Sequence, residues 1–173
     1  MTIQKPIEVI QERIPSRDYL PGNSRYPLLI YKQAVLLPDE ESAPTLQDWL
    51  KQNKWTHAWV DSIYDFHHYH SNTHEVLIIL SGDCQVQFGG DQGQIYTVIP
   101  GDVIIIPAGV AHKSLKMSKN FRCIGAYPFD IEYDMNYGNA EEYLKACEAV
   151  SQVGLPTTDP IFGIQGTLYD YWK

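Results

Sequence analysis

Between residue 55 and about residue 127 the chain runs in short apolar stretches rich in Val, Ile, Tyr and Thr. Clusters of Gly, Pro, Asn and Asp break them up. Residues 55–63, 75–80, 85–88, 94–99, 103–106 and 121–127 each read as a β-strand. Gly89-Gly90-Asp91-Gln92-Gly93 reads as a hairpin turn, because glycine supplies positive φ at no steric cost. Many short strands at this spacing predict an all-β sandwich or barrel. The N-terminal third offers one strand-like run, residues 28–37, ended by Pro38.

Two segments carry helical periodicity instead. The first starts near Pro44 and Thr45, where proline suits a first turn and Thr45 with Asp48 resembles a capping pair. Leu46, Trp49 and Leu50 make its apolar stripe. The second follows Asn139, with Glu142 in capping-box position and Ala140, Tyr143, Leu144 and Cys147 as its apolar face. Gly154 and Pro156 end it. The remaining tail, residues 155–173, looks irregular but packed, since Ile161, Phe162, Leu168 and Trp172 need cover. That cover is its own barrel or a neighbour's.

Composition narrows the function. The 173 residues suffice for one domain with a real core. No run of 18 apolar residues suggests a transmembrane helix. The N-terminus, residues 1–15, alternates polar and apolar residues and lacks a signal peptide's apolar region, so the cytoplasm is the expected compartment. The net charge of −8 argues against nucleic acid as a partner. The acidic cluster Asp39-Glu40-Glu41 reads as a solvated loop. Cys84, Cys123 and Cys147 are odd in number and widely spaced, which fits reduced thiols. No nucleophile elbow, phosphate loop or dinucleotide fingerprint is present.

The chemistry concentrates in histidine. Four of the six histidines fall at positions 67, 68, 70 and 74. In a strand, His68 and His70 share one face, while His67 and Tyr69 share the other. After the polar turn 71–73, a hairpin-like return can bring Glu75 beside them, and His112 ends a separate apolar strand. Two imidazoles and a carboxylate converging in a barrel suit Fe, Mn, Ni, Co or Zn. The spacing alone equally allows a hydrogen-bonded structural histidine cluster.

Two motifs carry a resemblance. His68-Tyr69-His70, four residues, Glu75, six residues and Gly82 are similar to the first cupin motif. Gly101, five residues, Pro107-Ala108-Gly109, two residues and His112 are similar to the second. Residues 83–100 lie between them. The second motif often continues to an asparagine, where this chain has Lys116. The FHHYHSNTHEVL stretch, with GAYP downstream, looks like a branch of small bacterial single-domain cupins. The resemblance implies an all-β, cupin-type antiparallel β-barrel (jelly roll) with a few flanking helices. It implies one domain over residues 1–173, with its motif-bearing core at about 55–128, and a homodimer.

The resemblance also implies one divalent metal ion on His68, His70, Glu75 and His112. His74 and His67 then face away, unless a bulge lets His67 displace His68. Leu77, Ile79, Val103 and Ile105 are expected as core or cavity wall, and Tyr64, Tyr69 and Tyr127 as residues able to reach a substrate. Cupins with this ligand set include dioxygenases, isomerases and decarboxylases. The leading expectation is a dioxygenase-like reaction on a small oxygenated molecule. The alternatives are a non-catalytic module binding a sugar or small acid, and isomerase chemistry with or without a metal.

Overall fold

The structure is a computed structural model that describes residues 1–37 and 42–173. The acidic cluster 39–41 lies outside the described residues. The elements in order are β1 (Thr2–Ile3), β2 (Glu8–Ile14), β3 (Asn23–Lys32), β4 (Val35–Leu36), α1 (Ala43–Gln52), β5 (Trp55–Asp61), β6 (Glu75–Ser81), β7 (Cys84–Phe88), β8 (Gln94–Val98), β9 (Val103–Ile106), β10 (His112–Met117), β11 (Arg122–Pro128), α2 (Ala140–Gln152) and α3 (Leu168–Tyr171). A six-stranded sheet in the order β2-β3-β9-β6-β11-β5 faces a three-stranded sheet, β10-β7-β8, and β1 pairs with β4. Every pairing is antiparallel. This is the expected all-β jelly roll.

The uninterrupted apolar character of β6 and β9 has a physical reason. Both are buried along their whole length, because the large sheet is covered on both faces. Leu77, Ile79, Ile104 and Ile106 point into the barrel with Val86, Phe88 and Phe121. Val76, Ile78, Val103 and Ile105 point the other way, into a second core with Leu46, Leu50, Ile161, Leu168 and Trp172. Val103 and Ile105 are therefore core residues behind the sheet, on the side away from the barrel interior.

That second core answers what the aromatic tail covers: its own sheet. Trp172 Nε1 donates to Pro27 O at 2.8 Å, and Trp55 Nε1 donates to Thr158 O at 3.0 Å. The buried Asp159 carboxylate accepts from Ile161 N, Phe162 N, Leu168 N and the Tyr31 hydroxyl. These bonds satisfy the polar groups that the tail carries inward.

Several expectations need correction. The run at 28–37 is two strands, because Gln33 turns at φ +52° and gives its N–H to the buried Asp102 carboxylate. β1 and β2 lie outside the strands the sequence predicts, although β2 has the polar–apolar alternation of an edge strand. β10 also lies outside them, so His112 starts a strand where it was expected to end one. That segment, HKSLKM, is a polar edge strand with a bulge between Ser114 and Lys116. Lys116, at the family's asparagine position, sits exposed at that bulge.

The helices divide. Ser42 is the N-cap residue of α1, with Pro44 in its first turn, so Thr45 lies inside the helix and does not cap it. For α2 the capping box of Asn139 and Glu142 is present. Its buried residue is Ala146, however, and Leu144 stands 79% exposed. The 89–93 turn joins β7 to β8 as expected, with Phe88 opposite Gln94 and positive φ at Gly89 and Gly90. No helix among the described residues is long and apolar enough to cross a membrane.

Candidate metal centre

The histidine pair of the first motif is placed by the second. His68 and His112 exchange both backbone hydrogen bonds, at 3.2 and 3.0 Å, and the Gly109 N–H donates to His70 O at 2.8 Å. Segment 68–70 thus runs antiparallel to 109–112. A reciprocally bonded pair puts both side chains on one face of the ladder. Gly109 makes the turn possible: it sits at φ +85°, and a Cβ there would lie 2.5 Å from Gly22 O. Glu75 arrives separately, as the first residue of β6 and opposite Ile106 of β9. It meets the histidines without a hairpin between 68–70 and its own strand.

All three imidazoles are oriented by backbone carbonyls. His68 Nδ1 lies 3.1 Å from Phe66 O, His112 Nδ1 lies 3.3 Å from Val110 O, and His70 Nδ1 bonds Asp134 O. A carbonyl only accepts, so each bond requires the proton on Nδ1, and a neutral ring then carries its lone pair on Nε2. Burial, with His112 nearby, pushes the His68 pKa down to about 3 and keeps that ring neutral.

The Nε2 atoms of His112 and His70 stand 3.2 and 3.5 Å from Glu75 Oε2. That oxygen is buried and has no hydrogen bond of acceptable geometry. Burial alone would lower the His70 pKa, but the Glu75 carboxylate outweighs it and raises the value. Burial would also raise the Glu75 pKa. The two imidazoles facing Oε2, with a positive charge on His70 acting most strongly, instead hold that carboxyl below the usual range. Both shifts describe one fact: the cluster attracts a positive charge. His68 stands off from Glu75, its ring packed 4.2 Å from the His112 ring. Among the described residues, no three His, Cys, Asp or Glu side chains are drawn into a closed metal-holding arrangement.

The other carboxylate oxygen is fixed. Tyr127 donates to Glu75 Oε1 at 3.1 Å, and Trp59 Nε1 donates to the Tyr127 oxygen at 2.9 Å. Trp59 reaches that point because its cross-strand partner is Gly125. A Cβ at Gly125 would collide with the indole. Glycine inside a strand is the signature of such a close approach.

A strap between β11 and α2 closes the site. Asn136 and Tyr69 exchange backbone hydrogen bonds, the Asp134 carboxylate holds Ser71, and the Glu142 carboxylate accepts from Tyr137 N and Gly138 N. The strap brings Tyr133 and Met135 to a cavity of about 230 Å³ that also holds His68, His70, Glu75 and His112. Tyr133 stacks on Tyr127 with ring centroids 4.5 Å apart.

The four expected ligands therefore line one cavity, as do Leu77, Tyr64 and Tyr127. Tyr69 faces α2 and packs with Ala111 and Ala146. His67 is outside the residues lining the cavity and lies 3.3 Å from Asp91, whereas His68 is among them. His74 is buried and structural: Nδ1 accepts from Ala108 N, and Nε2 donates to Gly154 O. Its ring packs 4.6 Å from Trp172. Sequence reasoning missed Trp59, Tyr133 and Met135. Only Trp59 had a signal, as an aromatic in a predicted strand opposite a glycine-bearing one.

Comparison with known proteins places this architecture. Residues 62–122, which span both motifs, match the family described as Cupin domain. The chain is 39% identical over 158 residues to the uncharacterized protein YjlB of Bacillus subtilis (strain 168), covering 91% of this chain and 93% of that one. Among solved structures it is similar to WlaRA, a TDP-fucose-3,4-ketoisomerase from Campylobacter jejuni. That match has 20% identity, 54% and 73% coverage of the two chains, and a TM-score of 0.40. It is also similar to the DMSP lyase DddQ from Ruegeria pomeroyi DSS-3, at 15% identity, 68% and 45% coverage and a TM-score of 0.37. On the near full-length likeness and the domain match together, the chain belongs to the cupin family.

Proposed function

We propose that this cupin binds one divalent ion on His68, His70, Glu75 and His112 and acts on a small oxygenated molecule, in a dioxygenase-like reaction. One observation carries the metal reading. Two imidazole Nε2 atoms, lone-pair acceptors wherever the rings are neutral, face an orphaned carboxylate oxygen at 3.2 and 3.5 Å. Such acceptors repel unless a cation sits among them. Ligand bonds of about 2.0–2.2 Å set neighbouring ligand atoms roughly 3 Å apart, so these separations match the edges of a coordination shell. His68 completes the set by turning from the His112 ring.

A bound ion would supply Lewis-acid polarisation and, if redox-active, dioxygen chemistry. The chain's own residues do the rest. Tyr127 and Trp59 hold Glu75, the backbone carbonyls hold the imidazoles, and Tyr133, Met135 and Leu77 wall the cavity.

Metal content of the untagged protein by inductively coupled plasma mass spectrometry tests the metal reading. The expected result is close to one equivalent of Fe, Mn, Ni, Co or Zn, lost in His70→Ala. Absence of metal after reconstitution would leave a proton on the imidazoles as the balancing charge. Anaerobic Fe(II) loading followed by oxygen uptake with diols, diketones and phenolics tests the reaction class.

A second reading, a non-catalytic binding cupin, is favoured by the engagement of Tyr127. Its hydroxyl is committed to Glu75 and Trp59 and is not free to carry a proton. Ligand-induced thermal stabilisation without turnover would select it. We also propose a homodimer. Because the tail is used on its own sheet, the natural seam is the β2 edge, where Ile7 stands 71% exposed. Sedimentation equilibrium tests this.

A further inference from the structure

We infer that the cavity selects a small oxygen chelator with a flat π face and no fixed anionic group beyond its chelating oxygens, and rejects phosphorylated or sulfonated molecules. This rests on the metal reading above and narrows its substrate class. Size comes first. A cavity of about 230 Å³ holds roughly eight waters at about 30 Å³ each. That suits one ring or a short diol or diketone as the part of the ligand held inside.

Charge comes second. No Lys or Arg is among the residues lining the cavity, whereas Asp61 and Glu75 are. A divalent ion on three neutral imidazoles and Glu75 would leave one positive charge, and the exposed Asp61 at the cavity adds negative charge. A ligand carrying a fixed anionic group would bury it without a partner, which is costly. Shape comes third. Tyr127 and Tyr133 stack at 4.5 Å and Tyr64 stacks on Phe66 at 4.8 Å, with Trp59 on the wall. These are flat surfaces that suit a planar ligand.

The test is a matched pair sharing one chelating group. Full-length protein is loaded anaerobically with Co(II), and its metal content is measured first. Catechol and 4,5-dihydroxybenzene-1,3-disulfonate are then titrated while the Co(II) absorption spectrum is followed. Each affinity is divided by that ligand's affinity for free Co(II). Catechol is expected to bind at least about tenfold tighter on this scale. In Met135→Lys, which places a cation on the cavity wall, the disulfonate is expected to gain about tenfold or more while metal content is unchanged. Equal or tighter binding of the disulfonate to the parent, or a spectrum unchanged by either ligand, overturns the inference with the metal centre intact. Failure to load metal overturns the metal reading itself, and this inference falls with it.

Discussion

The two faces of the six-stranded sheet are built to opposite rules. The face toward α1 and the tail is dry and its carboxylate and indoles are paired: Trp55, Trp172 and Tyr31 bury large rings and each directs its polar atom to a partner, while the Tyr26 hydroxyl is buried without one. The face toward the barrel is equally apolar along most of its length, but it ends in three imidazoles and an orphaned carboxylate oxygen. Identical strands supply both faces, since β6 sends Val76, Ile78 and Leu80 one way and Glu75, Leu77 and Ile79 the other. The first face holds the protein together. The second spends stability on an arrangement that is favourable only when a positive charge is supplied.

If that division holds, the largest loss of stability comes from the face without chemistry. Trp172→Ala removes a ring that is 1% exposed and leaves Pro27 O without its donor. It is expected to cost about 3–5 kcal/mol in urea unfolding. The metal bound per folded molecule should be unchanged. A proportional loss of metal would mean that the tail supports the site and that the two faces are not independent.

His74 joins the two faces and gives the comparison a pH axis. Its neighbour in sequence is Glu75, yet its ring lies against Trp172 on the dry side. Burial lowers its pKa to about 4, against an ordinary value of about 6.5. A base depressed in the folded state contributes fully above its unfolded pKa. Its contribution is lost as pH falls through the folded one. Metal-free protein should therefore lose roughly 3 kcal/mol of His74-dependent stability between about pH 6.5 and pH 4. His74→Gln keeps a donor and an acceptor but cannot titrate, so its pH profile should be flatter across that window. Superimposable profiles would remove His74 as the cause.

The contrast between the faces also explains what could be read from the sequence. The strands of the doubly covered sheet announce themselves as apolar runs, and the ligand set stands in two motifs whose spacing is set by turns such as the one at Gly109. The edge strands were harder. β2 has alternation but little apolar content, and β10 is polar and bulged, because an edge strand needs only one covered side. The pairing of 68–70 with 109–112 is a tertiary event with no local signature. The strap is the clearest gap. Tyr133 and Met135 occupy an irregular stretch in which no periodicity operates, held there by Asp134, Asn136 and Glu142. The dry face hid its own detail in the same way: the tail's aromatics demanded cover, but nothing local said whose sheet they would cover.

Glu75→Gln asks which positive charge balances the cavity. With the imidazole protons on Nδ1, a glutamine amide can donate to a waiting Nε2. The metal-free variant should then be about 1–2 kcal/mol more stable than the parent, while losing its metal. If a protonated His70 balances Glu75 instead, the same substitution breaks a buried pair and should cost about 3–5 kcal/mol. Unfolding of metal-free parent and variant at pH 7 separates the two, because the expected changes differ in sign.

The smallest expected change in stability is also the most specific. Tyr127→Phe keeps the ring and its stack on Tyr133 and removes one hydroxyl. Glu75 Oε1 loses its donor and Trp59 Nε1 loses its acceptor, so the fold should be weakened by only about 1 kcal/mol. The site should respond more strongly, because a carboxylate free to rotate no longer holds Oε2 toward His70 and His112. Outer-shell partners of this kind are worth about 10–100-fold in metal affinity, read by competition with a chromophoric chelator. Gly125→Ala supplies the control from the other direction. It leaves Tyr127 intact but drives the Trp59 indole off the strand, so its fluorescence should change together with metal affinity. Loss of affinity in Tyr127→Phe alone would confine the effect to the hydroxyl. Loss in both would make the Trp59–Tyr127–Glu75 chain one positioning unit, anchored on the face of β11 that the dry core never touches.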